Sequence, residues 1–443
     1  MMGPVTVIGA GLAGCEAAWQ VAENGFPVEL VEMKPKKFSP AHQSEFFAEL
    51  ICSNSLKAAR VESAAGLLKE EMRRLGSLLV PCADACRVPA GGALAVDRHR
   101  FSQMVTEKIR SHPNITVRQE EVQHIPEEGI VIIATGPLTE GPLAEEIFSL
   151  CGGKLSFFDA AAPIVTAESL DRSCCFAASR YDHGEDSAYL NCPMNKEEYE
   201  IFLDALIHAE RAPVHDFDVQ NPKVYEGCMP VEVMGQRGKD TLRYGPLKPV
   251  GLRDPRTGHR PWAVVQLRRE DQEGTLYNLV GFQTNLRFPE QKRVFGLIPG
   301  LAHAEFVRYG VMHRNTFLNS PGFLGTDYAV LSRPNLFFAG QITGVEGYME
   351  SASSGLLAGK NAVCRLKGLP SVTLPRETMM GALSCHVAES ASKDFQPMGA
   401  NFGVMPPLAE PKRDKLERYA ALAHRGLQAL EPIRTMLEEE GIR

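Results

Sequence analysis

No stretch of this 443-residue chain stays apolar long enough to cross a bilayer. The longest runs are like Gly129-Ile130-Val131-Ile132-Ile133-Ala134, far short of the roughly 20 residues a spanning helix needs. No CxxC pair occurs among the eleven cysteines, and Cys174 and Cys175 are adjacent. That usage argues against a zinc site and a disulfide scaffold, and it points to reduced thiols in a cytoplasm. No basic leader with an apolar core precedes the first strand, so no secretory signal is expected. Internal repeats and low-complexity tracts are missing as well. Positive charge is in the minority, with a net charge of −7, which ordinarily counts against a nucleic-acid partner. Any contact with RNA must therefore rest on a local patch. With 44% apolar and 23% charged residues the composition is that of an ordinary globular protein, and the length allows two or three domains.

What the chain does contain begins at its first strand. Val5-Thr6-Val7-Ile8 is β-branched and apolar, and Gly9-Ala10-Gly11-Leu12-Ala13-Gly14 follows, opening a helix that runs to Glu23. In such a loop Gly9 allows a tight turn, Gly11 lets backbone approach a pyrophosphate, and Gly14 lets helix and strand pack closely. Amides at the helix N-terminus then face the phosphates with the positive end of the dipole. A second strand, Pro27 to Glu32, ends in a carboxylate 18 residues past Gly14, where such a group binds the adenosine ribose. The alternative is a βαβ unit whose glycines serve packing alone. The context of strand, loop, helix, strand and acid favours a dinucleotide.

Helices are expected over Arg60 to Leu75 and Asp97 to His112, with strands at Thr116 to Arg118 and Gly129 to Ala134. The strand ending in Ala134-Thr135-Gly136-Pro137 has the pattern of flavoproteins with two dinucleotide-binding domains. About two hundred residues later, Asn335 to Gln341 forms another short strand. It leads through Gly344-Val345-Glu346-Gly347-Tyr348 into a small-residue helix, Ser351 to Leu366. The two segments suggest one nucleotide-binding domain, 1–155 and 305–443, interrupted by a mixed α/β insertion over 156–304. In that insertion a helix is expected from Lys196 to Glu210, and strands at Trp262 to Leu267 and Thr275 to Gly281. A charged helix from Lys412 to Leu430 closes the chain. The expected fold class is α/β, with a Rossmann-like FAD-binding domain and an inserted domain. Only one GxGxxG exists, so the bound nucleotide is most simply FAD, and a nicotinamide would visit as reductant.

Two cysteines stand out by their neighbours. Cys52 precedes Ser53-Asn54-Ser55, small polar residues suited to starting a helix, and a thiol near a helix N-terminus is a better nucleophile. Cys228 sits in Glu226-Gly227-Cys228-Met229-Pro230, a loop fixed by glycine and proline. Each can equally be a small buried hydrophobe. From Gly235 to Arg260 the chain is locally cationic: Arg237, Lys239, Arg243, Lys248, Arg253, Arg256 and Arg260 face only Asp240 and Asp254. Interleaved glycine and proline place these charges on loops, with Tyr244 and Trp262 nearby for base stacking. This is either an RNA footprint or an exposed loop with incidental arginines. His313, before the last flavin strand, is suited to stacking on a flavin or another planar ligand, or to a structural hydrogen bond. No metal set is seen.

The segments GAGLAG, ICSNSL, YEGCMPVEVM, GQRGKDTLRYGPLKPVGL, NLVGFQTNL, RYGVMHRNTF and FFAGQITGVEGYMESA resemble the bacterial folate- and FAD-dependent tRNA (uracil-5-)-methyltransferases over nearly the whole chain. The resemblance implies a glutathione-reductase-like FAD domain with an insertion. It also implies 5,10-methylenetetrahydrofolate as carbon donor, NAD(P)H as reductant and a T-loop uridine of tRNA as acceptor. FAD would be held by Gly9 to Gly14, Glu32, and Gly340, Gln341 and Gly344 to Tyr348. Cys52 and Cys228 fall on the family's two functional cysteines, with Cys52 read as nucleophile and Cys228 as base or second thiol, the reverse remaining open. No membrane association and no obligate protein partner are expected. Other readings are a flavoprotein modifying the tRNA wobble uridine, which is expected to be longer, and a non-catalytic RNA-binding protein that uses FAD structurally. A thiol–disulfide reductase would want CxxC-like cysteines.

Overall fold

The computed structural model describes residues 3–180, 189–212, 229–391 and 395–443. Two sheets organise the chain. The first has six strands in the order Ala329–Val330, Arg333–Phe338, Val131–Ile133, Val5–Ile8, Val28–Glu32 and Ile115–Gln119, all parallel except the edge strand Ala329–Val330. Val131–Ile133 is apolar and buried throughout, and Val5–Ile8 breaks the apolar run only at Thr6, the near-continuous pattern of strands buried on both faces of a parallel sheet. Val5–Ile8 lies at the centre, and Leu12–Glu23 returns across the sheet to Val28–Glu32.

The expected helices form at slightly different bounds. Ser63 caps Ala64–Arg74, Asp97 caps Arg98–Ser111, and Asn195 with Glu198 forms a capping box on Lys196–Ile207. The last helix is Lys415–Glu439, longer than its charge pattern suggested.

The helix Tyr348–Lys367 packs along Leu12–Glu23 because glycines remove side chains from the seam. A Cβ on Gly355 would lie 2.1 Å from the Ala13 carbonyl oxygen, and one on Gly359 would lie 2.7 Å from that of Ala17. The seam thus brings backbone against backbone, and it aims both helix N-termini at the same edge of the sheet.

The second sheet is antiparallel, in the order Phe176–Ala177, Tyr189–Met194, Ala263–Arg269, Leu276–Leu279, Ile164–Thr166 and Phe306–Arg308. It carries a separate core that includes Phe202, Phe282 and Phe295. A two-stranded ribbon, Lys154–Ala160 paired with Met312–Leu318, joins the two units. The expected boundary at 304/305 therefore falls inside the second sheet, because Phe306–Arg308 pairs with Ile164 and Val165.

Two buried carboxyls tie helices together. Glu16 accepts from the Leu78 and Leu79 amides, and Glu71 accepts from those of Met379 and Met380. Burial outweighs these bonds and pushes Glu16 up to about 7 and Glu71 up to about 8. The native state then holds more protons than the unfolded chain between about pH 5 and 8, so stability falls as pH rises through that window. Denaturant midpoints should drop across it, and Glu71→Gln should flatten the slope.

Candidate active site

The carboxyl ends of the central parallel strands open into one cleft of about 440 Å³. Its floor is the glycine loop. Gly9 has φ of +100°, and a Cβ there would sit 2.6 Å from the Ala134 carbonyl oxygen, so the turn admits only glycine. Around Gly11 no atom lies within 4 Å of the missing Cβ, so its open side can take a ligand's backbone-close approach. Gly14 does not line the cleft: a Cβ there would lie 1.8 Å from the Gly9 oxygen, which makes it a packing residue. Neither Leu12–Glu23 nor Tyr348–Lys367 has a side-chain N-cap, so their first-turn amides are left for an anion. Glu32, at the end of its strand, lines the cleft and accepts from the Ala10 amide at 2.7 Å and the Lys34 amide at 3.0 Å.

The second chain crossing completes the cleft. Gly340 has φ of +89° and its N–H donates to Ser354 Oγ at 2.7 Å. Gln341, Glu346, Gly347 and Tyr348 line the wall, with Gln341 Nε2 donating to Glu346 Oε2. Gly344 and Val345 do not line it. Val345 is fully buried in the core, and a Cβ on Gly344 would strike the Phe395 ring at 2.5 Å. The expected Ala134-Thr135-Gly136-Pro137 turn lines the opposite side. Ala10, Leu12 and Ala13 are also on the lining.

Cys52 stands at the wall of this cleft, half-buried, in a loop held from three directions. No helix begins there; the chain runs instead into the strand Ser55–Ala58. The expected capping side chains are spent on other partners. Asn54 is fully buried and donates to the Val96 and Arg269 carbonyls at 3.0 and 2.9 Å. Arg268, on the second sheet, donates to Asn54 Oδ1 at 2.9 Å and to Ser53 Oγ at 2.7 Å. The Cys52 and Ser53 amides donate to the Tyr348 hydroxyl oxygen at 2.7 and 3.1 Å. Burial raises the Tyr348 pKa, and the Cys52 charge adds to it, so this phenol stays protonated. Arg98 donates to the Ile51 carbonyl at 3.3 Å and pairs with Glu270 at 3.0 Å. The Cys52 loop is therefore clamped by both domains, through Asn54, whose expected role is at a helix start, and through Arg98 and Arg268, which no sequence pattern marks. Tyr348 is expected from the sequence as a cofactor residue, and here it also holds the Cys52 loop.

Cys228 lies outside the described residues. The chain re-enters at Met229, and the Val231 amide donates to the carbonyl of Gln283, a residue that lines the cleft with Cys52. His313 is on the strand Met312–Leu318, its backbone opposite Asp159, two residues from cleft-lining Asn315.

None of the seven cations from Arg237 to Arg260 lines the cleft. They are not all on loops either: Arg243 is on the short helix Thr241–Tyr244, and Arg237 caps Val231–Gln236. Arg243 pairs with Asp240 and lies 3.7 Å over the Trp262 ring, covering a face expected to be open to a base. Arg256 pairs with Asp254. Arg237, Lys239, Arg253 and Arg260 are exposed, Lys248 is half-buried, and Tyr244 is 84% exposed. Among the described residues no His, Cys, Asp or Glu cluster is arranged to hold a metal, and no helix is long and apolar enough to cross a membrane.

Residues 4–370 match the family model described as glucose inhibited division protein A. A relative from Acetivibrio thermocellus, called methylenetetrahydrofolate–tRNA-(uracil-5-)-methyltransferase TrmFO, is 61% identical over 431 residues, 97% of this chain and 98% of its own. The chain belongs to this methyltransferase branch of the glucose inhibited division protein A family. A second protein of the same name, from Desulforamulus reducens, is 58% identical over 439 residues, 99% of this chain and 98% of its own. A solved GidA structure from Aquifex aeolicus superposes with a TM-score of 0.68 at 16% identity, covering 98% of this chain and 78% of that one. That likeness carries the fold: an α/β domain with a parallel sheet and an insertion.

Proposed function

We propose that this protein methylates carbon 5 of the T-loop uridine in tRNA, taking the carbon from 5,10-methylenetetrahydrofolate. FAD would be held by Gly9 to Ala13, Glu32, Gly340, Gln341 and Glu346 to Tyr348. The fit rests on the open side of Gly11 and on two helix N-termini without side-chain caps at one cleft. When bound, FAD reduced by NAD(P)H supplies the hydride that completes the methyl group.

The observation that carries the reading is Cys52 on the wall of the cleft that Gly9, Gly11 and Glu32 also line. Carbon 5 of uracil is a poor nucleophile until something adds at carbon 6. The Cys52 thiolate forms a bond to carbon 6, and the displaced electron pair moves onto carbon 5 and the carbonyl oxygen. Carbon 5 then bonds to the donated methylene carbon, a base removes the carbon 5 proton, and the folate nitrogen leaves with its electron pair, so that an exocyclic methylene remains. Hydride addition to that carbon makes the methyl group, and the electron pair pushed back through carbon 5 re-forms the carbon 5–carbon 6 double bond as the thiolate leaves. Cys228 is the proposed base or second thiol. The target pyrimidine must be extruded from its loop to reach the thiol. The Arg237 to Arg260 surface is the proposed contact for the RNA backbone, and His313 the proposed stacking partner of folate or flavin. The protein works in the cytoplasm, with no obligate protein partner.

The decisive experiment incubates the protein with unmodified tRNA, NADPH and methylenetetrahydrofolate labelled in its methylene. Label in 5-methyluridine supports the reading; label entering only from S-adenosylmethionine ends it. The clamp on the Cys52 loop gives a second expectation. Arg268→Lys keeps the charge but loses the fork that holds Ser53 and Asn54. It should slow methyl transfer roughly 10- to 100-fold with the flavin retained. Alkylation of Cys52 by iodoacetamide, followed against pH, should shift in the same variant.

A further inference from the structure

A second groove lies beside the cleft and has no part in the chemistry above. It encloses about 260 Å³ between Pro40, Ala41 and Gln43 on the cofactor side and Phe288, Arg308 and Tyr309 on the insertion. Ala41 lines both spaces, so the groove is continuous with the wall of the cleft.

Its insertion side is the end of an aromatic row. Phe282 meets Phe295 edge-on at 5.2 Å, and Phe295 meets Phe306 at 6.5 Å. From there the rings turn parallel: Phe306 on Tyr309 at 5.1 Å and 9°, and Tyr309 on Phe288 at 4.6 Å and 15°. The row starts in the second core and ends at Phe288, which is 50% exposed. A half-exposed phenyl ring held parallel to its neighbour by a rigid stack presents a flat platform to solvent.

Arg308 lines the same groove as Phe288, and it is near enough to the cleft for the Cys52 and Tyr348 charges to act on it. Its side chain makes no hydrogen bond or ion pair among the described residues. Burial and the neighbouring Arg98 push its pKa below the usual guanidinium value, while Cys52, Tyr348 and Glu49 act the other way. An unpaired, partly desolvated guanidinium calls for an anion.

We infer that the groove is a nucleotide subsite: a base flanking the target uridine stacks on Phe288, and the phosphate linking the two is met by Arg308. The inference rests on the RNA reading of the cleft. Flipping the target costs its neighbour a stacking partner, and an exposed aromatic face replaces it in a sequence-tolerant way. The groove shares Ala41 with the cleft that holds Cys52, and Arg308 is common to the aromatic platform and to the electrostatic surroundings of the thiol. The donor folate is a poorer occupant, since its transferable carbon must stay with the reacting atoms in the first cleft.

The test uses full-length protein and a T-arm hairpin carrying 2-aminopurine beside the target uridine. Binding to wild type should quench the fluorescence. Phe288→Leu, which keeps volume at an exposed position, should abolish the quenching and weaken hairpin binding roughly tenfold. Phe288→Trp should restore both, and KM for methylenetetrahydrofolate should stay unchanged. Equal affinity and quenching in Phe288→Leu would overturn the subsite. So would a raised folate KM with hairpin binding intact, which would give the groove to the donor. Failure of the methylene-labelling experiment in wild type is a separate result, and it would strike the catalytic reading instead.

Discussion

Cys52→Ala should reduce transfer of the labelled methylene to tRNA by at least about a thousandfold, while the protein stays yellow. Removing the nucleophile of a covalent mechanism costs far more than removing a binding contact, because no other group replaces the missing bond. The fold should tolerate the change. Cys52 is half-buried, and what holds its loop is backbone and neighbouring side chains: the Cys52 and Ser53 amides on Tyr348, and Ser53 and Asn54 on Arg268. Flavin absorbance and unfolding midpoint should therefore match wild type. A T-arm RNA carrying 5-fluorouridine separates the two thiols, since it traps the carbon 6 adduct. Wild type and Cys228→Ala should form the adduct and Cys52→Ala should not. An adduct that survives in Cys52→Ala would move the nucleophile to Cys228.

The parts of the site that were legible in sequence are those where backbone geometry dictates residue type. Gly9 must be glycine because its φ is positive and Ala134 is 2.6 Å from where a Cβ would go. Such constraints act through neighbours a few residues away or through one predictable strand crossing, so a local pattern carries them. The same holds for Gly340 and Gly347, both at positive φ. The misreadings have a different source. Ser53-Asn54-Ser55 looks like a helix start because those side chains cap helices, yet here long-range partners take them: Val96 and Arg269 for Asn54, Arg268 for Ser53. Arg268 is more than two hundred residues away and lies just past the expected strand Trp262 to Leu267, so nothing local marks it. The Trp262 ring is likewise covered by a partner that its own neighbourhood does not reveal. Arg243, nineteen residues earlier, reaches back over its ring and donates to its carbonyl. Gly344 and Val345 belong to a motif that touches the cleft, but Val345 is buried in the core and the backbone at Gly344 lies against the Phe395 ring.

Glycine roles also separate stability from binding, and two substitutions should show it. Gly355→Val should destabilise the protein by at least about 3 kcal/mol and lose the flavin. The new Cβ would meet the Ala13 oxygen at 2.1 Å and its carbonyl carbon at 2.7 Å. Backbone cannot rotate away as a side chain can, so the two helices must separate, and overpacking of this kind lies at or above the usual range. The cost then spreads to the cleft, because Ala13 lines it and the helix that must move begins with Tyr348, which holds the Cys52 loop. Gly11→Ala should behave in the opposite way. No atom lies within 4 Å of its Cβ, and its φ of −72° suits any residue, so the unfolding midpoint should stay within error of wild type. The added methyl instead occupies the space that a pyrophosphate needs beside the loop, and flavin affinity should fall at least about tenfold. Thermal unfolding without cofactor, paired with flavin titration, reads both quantities. If Gly11→Ala binds flavin as wild type does, the loop is a packing device alone and the cleft holds its ligand some other way.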